Sequence, residues 1–160
     1  MSTDVVLANY GSEQHERDII YLLNCYALDP MGGGEPLSSH VQANLVKELS
    51  KISHAFSILC YVDEKPAGLI NCFEGFSSFL CKPLINVHDV VVLESFRGQG
   101  LCPLMLAKVE EIALHRGCSK ITLEVLEGNS AAKKSYSSFG FAGYSLDPEF
   151  GQALFWQKSL

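Results

Sequence analysis

Residues 84–101 read LINVHDVVVLESFRGQGL. The first ten, Leu84–Leu93, are rich in β-branched side chains and bounded by polar and glycine-containing segments, which predicts a central strand. ESFRGQG follows as a loop. Leu101–Arg116 then repeats apolar residues at helical spacing, with Leu101, Met105, Val109 and Ile112 on one face. His115 and Arg116 suit the negative end of that helix dipole, and Gly117 suits the position just beyond its last turn.

Downstream, Lys120–Leu126 (KITLEVL) predicts another strand, and Asn129 is placed to cap a short helix ending at Gly140. A strand–helix–strand run of this kind implies parallel pairing of its two strands. Phe141–Ser145 and Ala153–Lys158 are expected to close the sheet as a hairpin. Upstream, Asp4–Tyr10 predicts a first strand. Ser12 caps a helix to about Leu28, with Ile19, Ile20, Leu23 and Tyr26 at core spacing. Asp29–Pro36 (DPMGGGEP) breaks the chain, Leu37–Ile52 predicts a second helix on Val41, Leu45 and Leu49, and Phe56–Val62 and Ala67–Phe79 predict two further strands. The expected order is β-α-α-β-β-β-α-β-α-β-β, an α/β (α+β) fold with about six or seven strands.

At 160 residues, without repeats or a low-complexity linker, the chain is expected to be one domain, residues 1–160. Apolar residues make up 48% of it, which excludes a disordered chain. No stretch approaches the roughly 20 apolar residues that span a bilayer, and the first twenty residues carry no basic start followed by an apolar run. A cytoplasmic protein without membrane attachment is the expectation. The formal net charge of −6 argues against a nucleic-acid partner and is compatible with a cationic small acceptor. The six cysteines mostly sit in apolar runs, with no CxxC and no Cys/His spacing for a metal, so free thiols and no metal site are expected.

Arg97-Gly98-Gln99-Gly100-Leu101 lies between a strand and a helix. Glycines there let the backbone approach a ligand closely, and a helix start offers unpaired N–H groups to a phosphate. No Gly-Lys-Ser/Thr follows, and the dinucleotide spacing GxGxxG is absent. The pattern resembles the coenzyme-A signature of the GNAT superfamily of acetyltransferases, Arg/Gln-x-x-Gly-x-Gly/Ala, over Arg97–Cys102. The family's second signature, Asn-x-x-Ala-x-x-x-Tyr-x-x-x-Gly-Phe, is matched by Asn129, Ala132, Tyr136, Gly140 and Phe141. Two departures stand out: Cys102 replaces Gly or Ala, and Pro103 removes one N–H donor from the helix start, where proline is otherwise tolerated.

The resemblance implies an acetyl-CoA-dependent N-acetyltransferase. It implies that Arg97, Gly98, Gln99, Gly100, Leu101 and Cys102 cradle the pyrophosphate, and that the backbone of Val90, Val91 and Val92 binds the pantetheine arm and polarises the thioester carbonyl. It implies that Tyr136 protonates the leaving thiolate beside the coenzyme, and that Asn129 either contacts the coenzyme or only caps its helix. For the general base, relatives that acetylate polyamines place a glutamate at the position of His88, with Asp89 next. His88 as base, Asp89 as base or amine anchor, and His88 as a structural residue all stay open. A bulge in the strand would decide which side chain faces the cleft. Met31–Glu35 border the acceptor site by the same resemblance, and Asp147, Glu149 and Phe150 are further candidates. The acceptor is expected to be a small-molecule amine. A protein lysine or N-terminus and a non-catalytic acetyl-CoA-binding module are the alternatives. Many relatives are dimers, so a homodimer is left open.

Overall fold

A computed structural model describes residues 1–160. Five strands form one sheet in chain order: β1 (Thr3–Leu7), β2 (Ala55–Val62), β3 (Lys65–Ser77), β4 (Lys82–Val92) and β5 (Ile121–Leu123). The first three neighbouring pairs are antiparallel and β4–β5 is parallel. Four helices cover the sheet: α1 (Glu13–Leu28), α2 (Ser39–Leu49), α3 (Leu101–His115) and α4 (Ser130–Phe139). The α3 crossover joins β4 to β5, as parallel pairing demands.

Strand alternation divides the core in two. On one face Ile58, Ile70, Ile85 and Val87 pack with Leu101, Met105, Leu106 and Val109 of α3 and with Tyr136 of α4. On the other, Leu59, Leu69 and Val91 pack with Ile19 and Leu22 of α1 and Val46 of α2. The buried face of α1 is therefore centred on Ile19 and Leu22, with Ile20, Leu23 and Tyr26 at its margin, a small rotation from the expected stripe. Gly68 lets β3 pass directly beneath α3, since a Cβ there would lie 2.8 Å from the Met105 side chain and 3.1 Å from the Val91 carbonyl oxygen.

Local signals act where they were expected. The Ser12 side chain accepts from His15 N–H and Asn129 from Ala132 N–H; Ser38, which the sequence reading does not single out, caps α2 by accepting from Val41 N–H. Gly117 takes φ +70°. Its N–H donates to the Leu114 carbonyl at 3.1 Å while Cys118 N–H reaches the Ala113 carbonyl at 2.9 Å, closing α3 with a paired cap.

The sheet is shorter than expected at its C-terminal side. β5 stops at Leu123, and the segments 141–145 and 153–158 form no ladder; one bond, Ala153 N–H to the Tyr144 carbonyl at 3.2 Å, joins them. β5 offers them only a three-residue edge, and Gly143 interrupts the first of them. All six cysteines are free thiols; burial pushes Cys60 up to about 11, so it stays protonated. No helix is long and apolar enough to cross a membrane.

Candidate active site

The site is organised by an irregularity in β4. Cys72 pairs with Val87 and Asn71 pairs with Asp89, so His88 is an extra residue with no partner on β3. Such a bulge exchanges which faces and which neighbours the following residues address. Before it, Ile85 and Val87 point to the α3 side; after it, Val91 points to the α1 side while Val90 and Val92 turn to α3. Asp89, in phase with Val91, therefore stands on the α1 face.

The backbone changes phase as well. Leu93 N–H donates to the Ala67 carbonyl at 3.0 Å, and in the register Gly68↔Val92 and Ile70↔Val90 this puts residues 89, 91 and 93 in the hydrogen-bonded positions with β3. Val90 and Val92 consequently aim their N–H and C=O groups away from β3, toward the β5 side. No strand meets them there, because the β4–β5 ladder ends at Val87↔Leu123. The result is a split between two parallel strands with unpaired backbone groups along one wall.

At the mouth of the split lies the glycine loop. Gly98 and Gly100 take φ +76° and +77°, and a Cβ on either would meet nothing within 4 Å. The backbone N–H groups of Gly98, Gln99, Gly100, Leu101 and Cys102 donate to no acceptor within the protein. Five successive free donors, opening into unfilled space at a helix start, fit an anionic phosphate. Pro103 removes only the next donor. Cys102 turns its thiol toward Ser135 of α4, and burial raises it above the ordinary thiol value. Arg97 does not stand free beside the loop: its Nε donates to the Val92 carbonyl at 3.1 Å and a terminal nitrogen to Asp29 Oδ2 at 2.9 Å.

Tyr136 comes from α4, its ring buried and edge-on to Phe141 at 6.0 Å. Its hydroxyl makes no hydrogen bond within the protein, yet no sealed side-chain oxygen or nitrogen lacks a partner, so the oxygen keeps some accessible surface. Burial, and then the neighbouring Cys102 and Tyr26, push its phenol above the ordinary value of 10.0. Tyr26, in the last turn of α1, is raised by burial and then by the charges of Asp89 and Asp29. Tyr26 thus lies in the electrostatic reach of both Tyr136 and Asp89. Sequence periodicity placed it in the core and missed this; its position three residues before the breaker cluster was the available signal.

His88 is exposed at the bulge, edge-on to Phe73 at 5.5 Å, and makes no hydrogen bond. Asp89 is half-buried and accepts from Asn71 Nδ2 at 3.0 Å. The breaker cluster is an ordered turn rather than a loose connection. Asp29 Oδ1 accepts from Met31 N–H, Glu35 N–H reaches the Ala27 carbonyl, and a Cβ on Gly32 would fall 1.9 Å from the Tyr26 carbonyl oxygen. Asn129 is engaged as the α4 cap. Asp147, Glu149 and Phe150 sit on the exposed turn near the C-terminus.

The model of the acetyltransferase (GNAT) family matches residues 22–141, three quarters of the chain. This chain belongs to the GNAT acetyltransferase family. It is similar to the thialysine N-epsilon-acetyltransferase of Mus musculus, 38% identical over 56 residues, which is 35% of this chain and 33% of that protein. The matched stretch thus spans about a third of the mouse relative's length. The aminoglycoside N-acetyltransferase AAC(6')-Iy, solved with a bisubstrate analogue CoA-S-monomethyl-acetylneamine, shares the fold at TM-score 0.77 with 18% identity, covering 100% of both chains. The ribosomal-protein-alanine N-acetyltransferase of Brucella melitensis does so at 0.73 with 17% identity, over 91% of this chain and 96% of that one.

Proposed function

We propose that this GNAT chain is a cytoplasmic, single-domain N-acetyltransferase that moves an acetyl group from acetyl-CoA to a primary amine of a small molecule. One observation carries the reading: five unpaired N–H groups from Gly98 to Cys102 open at the mouth of a strand split whose wall bears the unpaired N–H groups of Val90 and Val92. A pyrophosphate and an extended amide-containing arm are the chemical complement of that pair of features.

In this reading the N–H of Val90 or Val92 donates to the thioester carbonyl oxygen. It stabilises the negative charge that grows there as the amine nitrogen attacks the carbonyl carbon. The new C–N bond forms as the C–S bond breaks, and Tyr136 hands its phenolic proton to the departing sulfur. A phenol near 10 giving a proton to a thiolate near 8.5 costs about 2 kcal/mol. The upward push on Tyr136 adds to that cost and ensures the proton is present at neutral pH.

A primary ammonium, near 10.4, arrives protonated and cannot attack in that form. Asp89 anchors it, since it is the carboxylate that the hydrogen-bonded side chains of the sheet hold beside the cleft. His88, next in the chain and open to water at the bulge, takes its proton through solvent, an imidazole being the better base of the two residue types. Tyr26 and the Asp29–Pro36 turn border the acceptor. Named relatives act on a thialysine amine and on a ribosomal-protein alanine, and one neighbour binds an acetylneamine analogue.

The test is thiol release from acetyl-CoA with thialysine, neamine and an alanine-terminated peptide offered in parallel, alongside calorimetric binding of acetyl-CoA. Turnover of an amine small molecule supports the proposal. Turnover of the peptide alone replaces the small-molecule acceptor with a protein one. Binding without turnover of any amine makes the chain a coenzyme-binding module.

A further inference from the structure

Behind Asp89 runs a file of side chains across the sheet. Asn71 on β3 donates from Nδ2 to Asp89 Oδ2 at 3.0 Å, Ser57 on β2 donates from Oγ to Asn71 Oδ1 at 2.6 Å, and the Tyr10 hydroxyl lies 2.9 Å from Ser57 Oγ. The sense of each bond follows from the carboxylate. An ionised carboxylate only accepts, so the amide must turn its NH2 to Asp89. Its oxygen must then face Ser57, which spends its single proton there, leaving Tyr10 as donor to Ser57. All three bonds point toward Asp89.

Ser57 is 0% exposed and Asn71 4%, both at the middle of the sheet beside Leu59 and Leu69. Polar groups there are tolerated only when paired, and an apolar pair of the same shape would fill the space without that requirement. Their pairing terminates in a group that opens on the cleft, and Asp89 Oδ1 has no partner in the protein. The file is no proton wire, because a carboxamide does not pass a proton along. What it controls is orientation: the carboxylate draws the Asn71 NH2 while the Ser57 proton satisfies the Asn71 oxygen, so the amide is held from both sides and fixes Asp89 Oδ2. Without the Ser57 proton the buried Asn71 oxygen loses its donor and that hold is weakened.

We infer that Tyr10, Ser57 and Asn71 are positioning residues for amine recognition, a hydrogen-bond file that holds Asp89 with Oδ2 fixed and Oδ1 presented to the acceptor ammonium. This rests on the reading of Asp89 as the amine anchor. Ser57 contributes at a distance of two side chains from the substrate, and Tyr10, on the chain between β1 and α1, sets the far end.

The experiment compares Ser57→Ala, Tyr10→Phe, Asp89→Asn and the Ser57→Ala/Asp89→Asn double variant. Each is assayed for kcat/KM on the best substrate among thialysine, neamine and an alanine-terminated peptide, and for acetyl-CoA affinity by calorimetry. Asp89→Asn is expected to lower kcat/KM for the amine about a hundredfold, Ser57→Ala about tenfold and Tyr10→Phe a few-fold, with acetyl-CoA affinity unchanged throughout. In the double variant Ser57→Ala should cost nothing further, because its effect passes through the carboxylate. Should Ser57→Ala prove unable to fold, Tyr10→Phe at the half-buried end of the file carries the comparison.

Wild-type kcat/KM in the Ser57 and Tyr10 variants beside an impaired Asp89→Asn would overturn the file alone. An unaffected Asp89→Asn, or a chain that acetylates no amine, would remove the anchor and the inference with it. A Ser57→Ala loss that persists in the Asp89→Asn background would make Ser57 structural.

Discussion

Arg97, in the loop at the mouth of the strand split, donates to the carboxylate of Asp29 at the end of α1 across 2.9 Å, although 68 residues separate them in the chain. The bond ties the phosphate-facing loop to the turn that borders the proposed acceptor site. The Met31 backbone N–H, and then the Arg97 guanidinium, hold the Asp29 carboxyl below its ordinary value of 3.8. A carboxylate depressed on folding adds stability above its unfolded value, and that contribution disappears as pH falls through the folded one. Asp29→Asn keeps an oxygen for Met31 and loses the ion pair. We expect wild type to melt slightly higher than this variant at pH 6 and the difference to shrink as the pH falls below the ordinary carboxylate range and to vanish once Asp29 is protonated in the folded protein. Thermal melts across that range check it. A difference that persists at the lowest pH would mean the ion pair is not its source.

Replacing Tyr136 with phenylalanine removes the open hydroxyl and keeps the ring packing against Phe141. We expect turnover to fall at least about tenfold with acetyl-CoA affinity unchanged. Because the phenol is pushed upward, ionisation of Tyr136 should produce no alkaline loss of rate below about pH 10. Steady-state rates from pH 6 to 10 test both points, and an equally active Tyr136→Phe enzyme would remove the residue from the reaction.

Gly100 stands at φ +77° with open space where a Cβ would go. Valine there is strained by roughly 1–2 kcal/mol in the left-handed region and fills the cradle. Coenzyme binding should weaken by about tenfold or more, measured calorimetrically, while circular dichroism stays native. Undiminished affinity in a folded variant would locate the coenzyme elsewhere.

Gly32 is the tight point of the turn after α1, where a methyl group would meet the Tyr26 carbonyl oxygen at 1.9 Å. Gly32→Ala must displace the turn or the last residues of α1. We expect amine KM to rise several-fold, with acetyl-CoA affinity little changed, since the cradle N–H groups belong to the loop before α3 and its first residues. Parallel KM determinations for the two substrates decide this, and a selective loss of coenzyme affinity would refute it.

Leu106 is fully buried between α3 and the sheet. Leu106→Ala should cost about 2–5 kcal/mol in denaturant unfolding. A smaller loss would mean that the α3 interface closes over the cavity.

Much of this was legible in the chain itself. Residues whose role depends on near neighbours in sequence could be read directly. Ser12 and Asn129 cap their helices, Gly117 ends α3, and Gly98 and Gly100 take the left-handed conformations that a backbone cradle needs. The strand–loop–helix order around residues 84–101, with the spacing of Asn129, Ala132, Tyr136 and Gly140, was enough for the family, because each is a local backbone requirement written in residue type.

Tertiary structure decided what depends on register and on crossing the sheet. The bulge at His88 has no signature of its own in LINVHDVVV, since either His88 or Asp89 could be the extra residue until β3 supplies the register that leaves His88 unpaired. That one-residue shift sends Asp89 to the α1 face and the backbone of Val90 and Val92 into the cleft. It also joins Asp89 to Asn71, Ser57 and Tyr10, which lie 18, 32 and 79 positions away in the sequence. The closing hairpin failed for a related reason: its two segments carry strand-forming residues, yet β5 ends at Leu123 and leaves them little edge to pair with. Local propensity follows from each side chain and its own backbone, whereas register is a property of two strands together and exists only once they have paired.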